Sequence, residues 1–232
     1  MSIRQDPPHG AKGSRGEQPA WKQRAVERSL RTATQRAGER VQRFLDAAQA
    51  IITERGTTDF TVQEVVDRSR QSLRSFYLQF DGKHELLLAL YEDAVGRTTT
   101  QIRAATASRT DPLEKLRTAV VLLFQLCRPD PDAHRPLFAE FAPQLTGSDP
   151  AEVRSAHAAL FTMFAELMTE AGEAARLRGD LHPRRMAAMT MHMAMTPGAS
   201  VGEGRPLTAE EIWTFCARGI TTPATENDIL IK

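Results

Sequence analysis

Residues 60–87 read FTVQEVVDRSRQSLRSFYLQFDGKHELL, and their spacing decides the expected fold. Thr61 stands at the head of an apolar stripe of Val62, Val65 and Val66, with Glu64 three residues on, so a capping box opens a short helix. Ser69, Arg70 and Gln71 turn the chain, and Ser72 offers an N-cap for a further helix. In that helix Leu73, Phe76, Tyr77 and Phe80 fall largely on the inner side, which leaves Arg74, Ser75, Leu78 and Gln79 to groove, backbone and solvent. Two short capped helices about a tight turn have the spacing of a helix-turn-helix, whose second helix enters a DNA major groove. Upstream, Val41, Phe44, Leu45, Ala48, Ile51 and Ile52 form the one-sided stripe of a third helix, and Gly56 stops it.

The run SLRSFYLQFDGKHELL, preceded by FTVQEVVDRS, resembles the DNA-binding domain of the tetracycline-repressor (TetR) family of bacterial transcriptional regulators. Thr61, Ser72, Phe76, Tyr77, Phe80, Lys83 and Leu86 match its pattern in register: a threonine opening helix two, aromatic-Tyr-x-x-Phe closing the recognition helix, and a lysine at the start of helix four. The likeness covers about a quarter of the chain. It implies phosphate contacts from Thr61, Ser72, Tyr77 and Lys83, and base-edge contacts from Leu73, Arg74 and Ser75. Two positions depart from the pattern. Arg70 stands where a turn glycine is usual, a place that can demand φ > 0 and also suits a phosphate contact; Gly82 stands where Ser or Thr commonly caps helix four.

The 232 residues suffice for two units with a sizeable core, and the absence of any period-two alternation points to an all-α chain. The expected organisation is a disordered arm and basic helical extension over 1–36, a three-helix helix-turn-helix head over 37–82, a helical regulatory and dimerisation domain over 83–222, and a flexible tail over 223–232. No apolar stretch is long enough for a membrane span and the polar N-terminus lacks the apolar region of a signal peptide, so a cytoplasmic protein without a membrane partner is expected. Cys127 and Cys216 sit in apolar stripes and read as reduced core residues, with a redox switch as the minor reading.

The net charge of +1 conceals an asymmetry: residues 1–87 carry 15 Lys and Arg against 11 Asp and Glu, and the remainder 15 against 18. A basic front half suits a phosphate partner. Arg24, Arg28 and Arg31, then Arg36, Arg40 and Arg43, repeat a helical spacing, read either as a solvated extension or as an arm along DNA.

Helix four is expected from Lys83 to about Ala107, and Asp111-Pro112 opens a helix bearing Leu113, Leu116, Val120, Leu123, Phe124 and Cys127, ended by Pro129. A short segment follows over 136–141. Ser148 and Asp149 before Pro150 predict one long helix to about Arg178, terminated by Gly179; the last two helices are expected over 183–195 and 207–219. The turn RGDLHP and the stretch LTAEEIWTFCARGI are similar to the last helices of TetR-family regulatory domains, where two such helices pair with their copies in a second subunit. The likeness therefore implies a homodimer interface with Met186, Met189, Met193, Trp213 and Phe215.

No nucleophile elbow, Walker loop, GxGxxG or HExxH occurs, so an enzyme reading has no site, and no cofactor is called for. His134, His157 and His182 lack HxxxH or CxxC partners, which gives a metal site no support; the Met run with His192 keeps a copper sensor as an alternative, against packing as the better reading. Phe124, Phe138, Phe141, Phe161, Phe164 and Met168 read mostly as core. The resemblance implies that these middle helices also enclose a pocket for an apolar or amphipathic small-molecule effector, with Gln125, Arg135, Glu140, Gln144 and His157 as polar candidates. It further implies a homodimer that represses a promoter from an inverted-repeat operator in double-stranded DNA and is released when the effector moves helix four and changes the spacing of the heads. An effector-free architectural DNA-binding protein is the other alternative.

Overall fold

The computed structural model describes residues 19–127, 150–195 and 207–222. The expected short segment over 136–141, the first 18 residues and the tail lie outside them. The described residues are all-α: α1 Ala20–Arg55, α2 Val62–Ser69, α3 Leu73–Tyr77, α4 Lys83–Thr106, α5 Pro112–Leu126, α6 Pro150–Ala156, α7 Ala158–Glu173, α8 Pro183–Met195 and α9 Ala209–Ile220. By its contacts the chain divides between Gln42 and Arg43 into two compact units. In the first, the described residues are helical from Ala20 onward and none is buried.

The second unit contains a helix-turn-helix head and a helical body. The head is built on the apolar face of α1, where Phe44, Leu45, Ala48, Ile51 and Ile52 are buried together with Val65 and Val66 of α2 and Phe76. Gly56, at φ 66°, closes α1 in the left-handed conformation that its missing side chain permits.

In the body, α5 is the central helix: it packs on α4, α7, α8 and α9, and its Leu116, Ala119, Val120 and Leu123 have no exposed surface. Asp111 caps it as expected, its carboxylate accepting the Leu113 N–H at 3.0 Å, with Pro112 in the first turn where no backbone donor is missed. The surrounding helices are laced at the surface by Arg103–Glu166 between α4 and α7, Lys115–Glu170 between α5 and α7, and Arg117–Glu210 between α5 and α9. Each such exposed pair contributes at most about 1 kcal/mol, so apolar burial holds the body together.

The single long helix expected after Pro150 is two. α6 ends at Ala156, and His157, in a turn conformation, starts α7. At this junction the Tyr91 phenol on α4 and the His157 Nε2 are 2.6 Å apart, their rings edge to face at 5.3 Å. α7 also stops earlier than expected, at Glu173 rather than near Arg178. The N–H groups of Ala175 and Arg176 bond the carbonyls of Gly172 and Ala171, a Schellman closure with Ala175 at φ 55°. Gly179 terminates nothing. The freed segment forms a small antiparallel bridge, Leu177 with Thr221, through Arg178 N–H to the Ile220 carbonyl at 2.9 Å and Thr222 N–H to the Arg176 carbonyl at 3.3 Å. α9 begins two residues later than expected because Thr208 and Glu211 make a capping box.

Candidate nucleic-acid interface

Three phenylalanine rings fix the recognition helix. Phe76 meets Phe44 edge-on with centroids 5.4 Å apart, and Phe80 lies 5.3 Å from Phe76 and 6.1 Å from Phe44. With Phe76 fully buried and Phe80 nearly so, the five residues of α3 have one orientation open to them.

α2 is held by its cap. The Thr61 hydroxyl accepts the Glu64 N–H at 3.2 Å, and the Glu64 carboxylate accepts the Thr61 N–H at 2.7 Å. Arg55 reaches the same carboxylate from the end of α1 at 2.5 Å. The Arg55 guanidinium, with the Thr61 backbone and hydroxyl, holds the Glu64 carboxyl at a pKa of about 2, far below the usual carboxylate range. Arg68 on α2 donates to Glu54 on α1 at 2.6 Å, a second brace across the same pair of helices.

The turn closes on Arg70, in left-handed conformation at φ 55°. Its N–H bonds the Asp67 carbonyl, and the Gln71 N–H bonds that of Val66. A positive φ at a residue with a Cβ costs about 1–2 kcal/mol. The turn therefore forms without glycine, with that strain stored in it.

Ser72 caps α3, its Oγ accepting the Ser75 N–H at 3.1 Å. Leu73 is 42% exposed, Tyr77 55% and Leu78 72%, and the exposed Arg74 side chain makes no hydrogen bond or ion pair among the described residues. This corrects the expectation that Leu73 and Tyr77 face inward: a helix of five residues turns few positions toward a core, and here Phe76 takes that place, followed by Phe80. Lys83, at the start of α4, carries its ammonium 4.8 Å above the buried Phe60 ring. Gly82 precedes it without a side-chain cap, and Glu85 instead accepts the Asp81 N–H at 2.5 Å. Leu78 is the most exposed large apolar residue of the head, on the outward side where the sequence spacing put it.

The body residues expected to line an effector pocket are distributed as follows. Phe124, Phe164 and Met168 are buried in the packing of α5 and α7, and Phe161, half-buried, lies under the Arg184 guanidinium at 4.9 Å. His157 is half-buried against Tyr91, and burial lowers its pKa. Gln125 is exposed; Phe138, Phe141, Arg135, Glu140 and Gln144 lie outside the described residues. Of the expected interface residues, Met186 and Trp213 are buried within the protomer, Met193 is half-buried, and Met189 and Phe215 are exposed at 55% and 66%. Phe215 lies in a surface groove on α9 with Glu210, Glu211, Thr214 and Arg218. Both cysteines are buried thiols, and burial pushes Cys216 up to about 11. Among the described residues no three His, Cys, Asp or Glu side chains come together as a metal site, and no helix is long and apolar enough to cross a membrane.

Residues 44–90, from Phe44 on α1 through the turn to α4, match the profile described as bacterial regulatory proteins, tetR family. A curated relative, the HTH-type transcriptional activator FasR of Mycolicibacterium smegmatis, is 31% identical over 100 residues, 43% of this chain, and the match spans less than half, 46%, of that protein. Among solved structures, RolR in complex with resorcinol superposes with a TM-score of 0.63 at 15% identity, over 84% of this chain and 95% of that one. AibR in complex with isovaleryl coenzyme A and operator DNA gives 0.53 at 20% identity, over 78% and 98%. These two likenesses carry the fold across head and body, and the family profile matches the head. Residues 44–90 of the head are thus similar to the tetR family of bacterial regulatory proteins, and the whole described chain shares the fold of the two solved structures.

Proposed function

We propose that the protein is a cytoplasmic homodimer that reads an inverted-repeat operator with two copies of α3, represses transcription there, and leaves the DNA when an apolar or amphipathic organic effector binds the body. The carrying observation is the recognition helix: α3 is locked from beneath by Phe76 and Phe80 while Leu73, Arg74 and Tyr77 stand outward. In the proposed complex Arg74 and Leu73 meet base edges, with Ser75 beside them, and Thr61, Ser72, Tyr77 and Lys83 position the head on phosphates. The Thr61 and Ser72 hydroxyls already hold helix caps, so their phosphate contacts would add to bonds that keep the head in shape.

The dimer reading rests on Met189, Met193 and Phe215, apolar side chains on the outer faces of the last two helices, while Met186 and Trp213 support those helices from within. The effector reading takes support from two fold neighbours, one crystallised with resorcinol and one with isovaleryl coenzyme A and operator DNA. α4 joins the head directly to the helices that would sense such a ligand, since it packs on α5, α6 and α7. The FasR relative is a transcriptional activator, which favours activation as the second reading of the same DNA contacts.

The test is selection of duplexes by the purified chain from a random pool, followed by footprinting on the enriched sequence. An inverted repeat protected over two successive major grooves is the expected result, and a pool without enrichment would sink operator reading. Sedimentation of Phe215→Glu separates the assembly claim: the variant should be monomeric at micromolar concentration, and a native chain that sediments as a monomer removes the dimer.

A further inference from the structure

Residues 19–42 carry Lys22, Arg24, Arg28, Arg31, Arg36 and Arg40 against only Glu27 and Glu39. From Ala20 onward they belong to α1, and none is buried. At 100° per residue Arg24, Arg28 and Arg31 share one face, while Lys22, Arg36 and Arg40 group about 140° round the helix from it. Val26, Leu30, Ala33 and Ala37 lie beside that second group, on the side away from Arg24, Arg28 and Arg31. The six cationic side chains make no ion pair or hydrogen bond among the described residues, and Glu39 takes its bond from the Gln35 amide. The body treats its cations differently: Arg97, Arg103, Lys115, Arg117 and Arg178 each meet a carboxylate of their own chain. Isolated helices of this length are marginal in water, and a run of like charge on one face weakens them further. A polyanion that neutralises that face would stabilise the helix.

We propose that residues 20–42 form a second, sequence-independent DNA contact, laying the Arg24–Arg28–Arg31 face along the phosphates of the duplex that the head reads. The inference rests on the DNA-binding reading of the head. Double-stranded DNA presents about one charge per 1.7 Å of axis, so three arginines within two helical turns meet a dense row of partners. Tethering in one chain raises the effective concentration of this helix at any duplex the head has found. An anionic membrane surface would need a broad apolar face opposite the charges. Here that face holds only two large side chains, Val26 and Leu30, and Trp21 falls on the basic side.

The experiment uses the full chain and an Arg24→Gln/Arg28→Gln/Arg31→Gln variant, glutamine retaining helix propensity. Binding to a random-sequence duplex and to a duplex enriched by selection is followed by fluorescence anisotropy across a salt series. Each lost phosphate contact should reduce the slope of log K against log salt by about 0.9, so the triple variant should fall by close to 3 per chain. The ratio of selected to random affinity should stay the same. A native slope in the triple variant, with Arg74→Ala still altering the ratio, overturns this inference and leaves the head's reading intact. A native chain that binds neither duplex overturns both. Retention on phosphatidylglycerol vesicles that the triple variant loses, with an unchanged DNA slope, reassigns the helix to a membrane surface and overturns the proposal.

Discussion

The head and the body solve opposite problems with the same kind of helix. In the head a few aromatic rings under α3 hold a short helix so that its polar and apolar side chains alike face outward, and Arg74 has no hydrogen-bond or ion-pair partner among the described residues. In the body the long helices bury a continuous core around α5, and many surface cations are matched by carboxylates of neighbouring helices. The contrast teaches where recognition chemistry can lie. A side chain already satisfied by its own fold has little left to give a ligand, and the unsatisfied ones of this second unit include those of the recognition helix.

The largest expected effect breaks the head and spares the body. Phe76→Ala removes the ring that Phe44 and Phe80 both touch, at a cost of about 3–5 kcal/mol. Duplex binding should vanish while far-ultraviolet circular dichroism keeps most of its helical signal, because α4 to α9 pack without that ring. Loss of the whole signal in one transition would show that head and body fold as a single cooperative unit.

Arg74→Ala probes the unpartnered side chain itself. Protomer stability should stay within about 0.5 kcal/mol of native, as for other surface changes. Discrimination between the selected duplex and one altered at a single base pair should fall by about 1–3 kcal/mol, measured by competition. Equal loss on all sequences would make Arg74 a phosphate contact.

Arg70→Gly sharpens the comparison from the backbone. It relieves the left-handed strain of the turn but loosens the unfolded chain, so a net gain of about 0.5–1 kcal/mol in stability is expected from thermal unfolding. Weaker DNA binding in this more stable protein would give Arg70 a phosphate role.

The smallest effect concerns the body and appears only in acid. Burial depresses the pKa of His157, whose neutral ring stands within hydrogen-bonding distance of the Tyr91 phenol. The folded pKa lies below the unfolded one, so this contribution is complete above the ordinary histidine range and is lost as pH falls through the folded value. The melting temperature of His157→Gln should therefore decline less steeply than that of the native chain between neutral pH and pH about 5, near and below the ordinary histidine range. Parallel curves would mean that His157 is already relieved of its burial.

How much of this was legible in the sequence follows the same division. The head was readable because its determinants are local: Thr61 with Glu64, Ser72 with Ser75, and Gly56 each act within a few residues. What misled there was Leu73 and Tyr77, since apolar character alone does not say which side of a one-turn helix faces the core. The body was legible where a local cap or proline spoke, as at Asp111 and Pro112, and opaque where residues far apart in the chain meet. Nothing between Ala156 and Ala158 announces the break at His157, whose ring meets Tyr91 of another helix. Gly179 advertised a helix end that two alanines supplied earlier, and the Leu177–Thr221 bridge joins residues with no shared pattern. Met186 and Trp213 looked like their exposed neighbours Met189 and Phe215, and burial alone separates them.

The brevity of α3 limits what one copy of this chain can say. Five residues at 1.5 Å each make a reading edge of about 7.5 Å, roughly two to three base-pair steps. A word of three letters has about 64 spellings and recurs by chance thousands of times among the 10⁶ or more competing sites of a genome. One head therefore holds an alphabet but no address. On the proposed reading, most of the information that picks out a target has to be written by repetition of the word at a fixed distance, or by the shape of the DNA between.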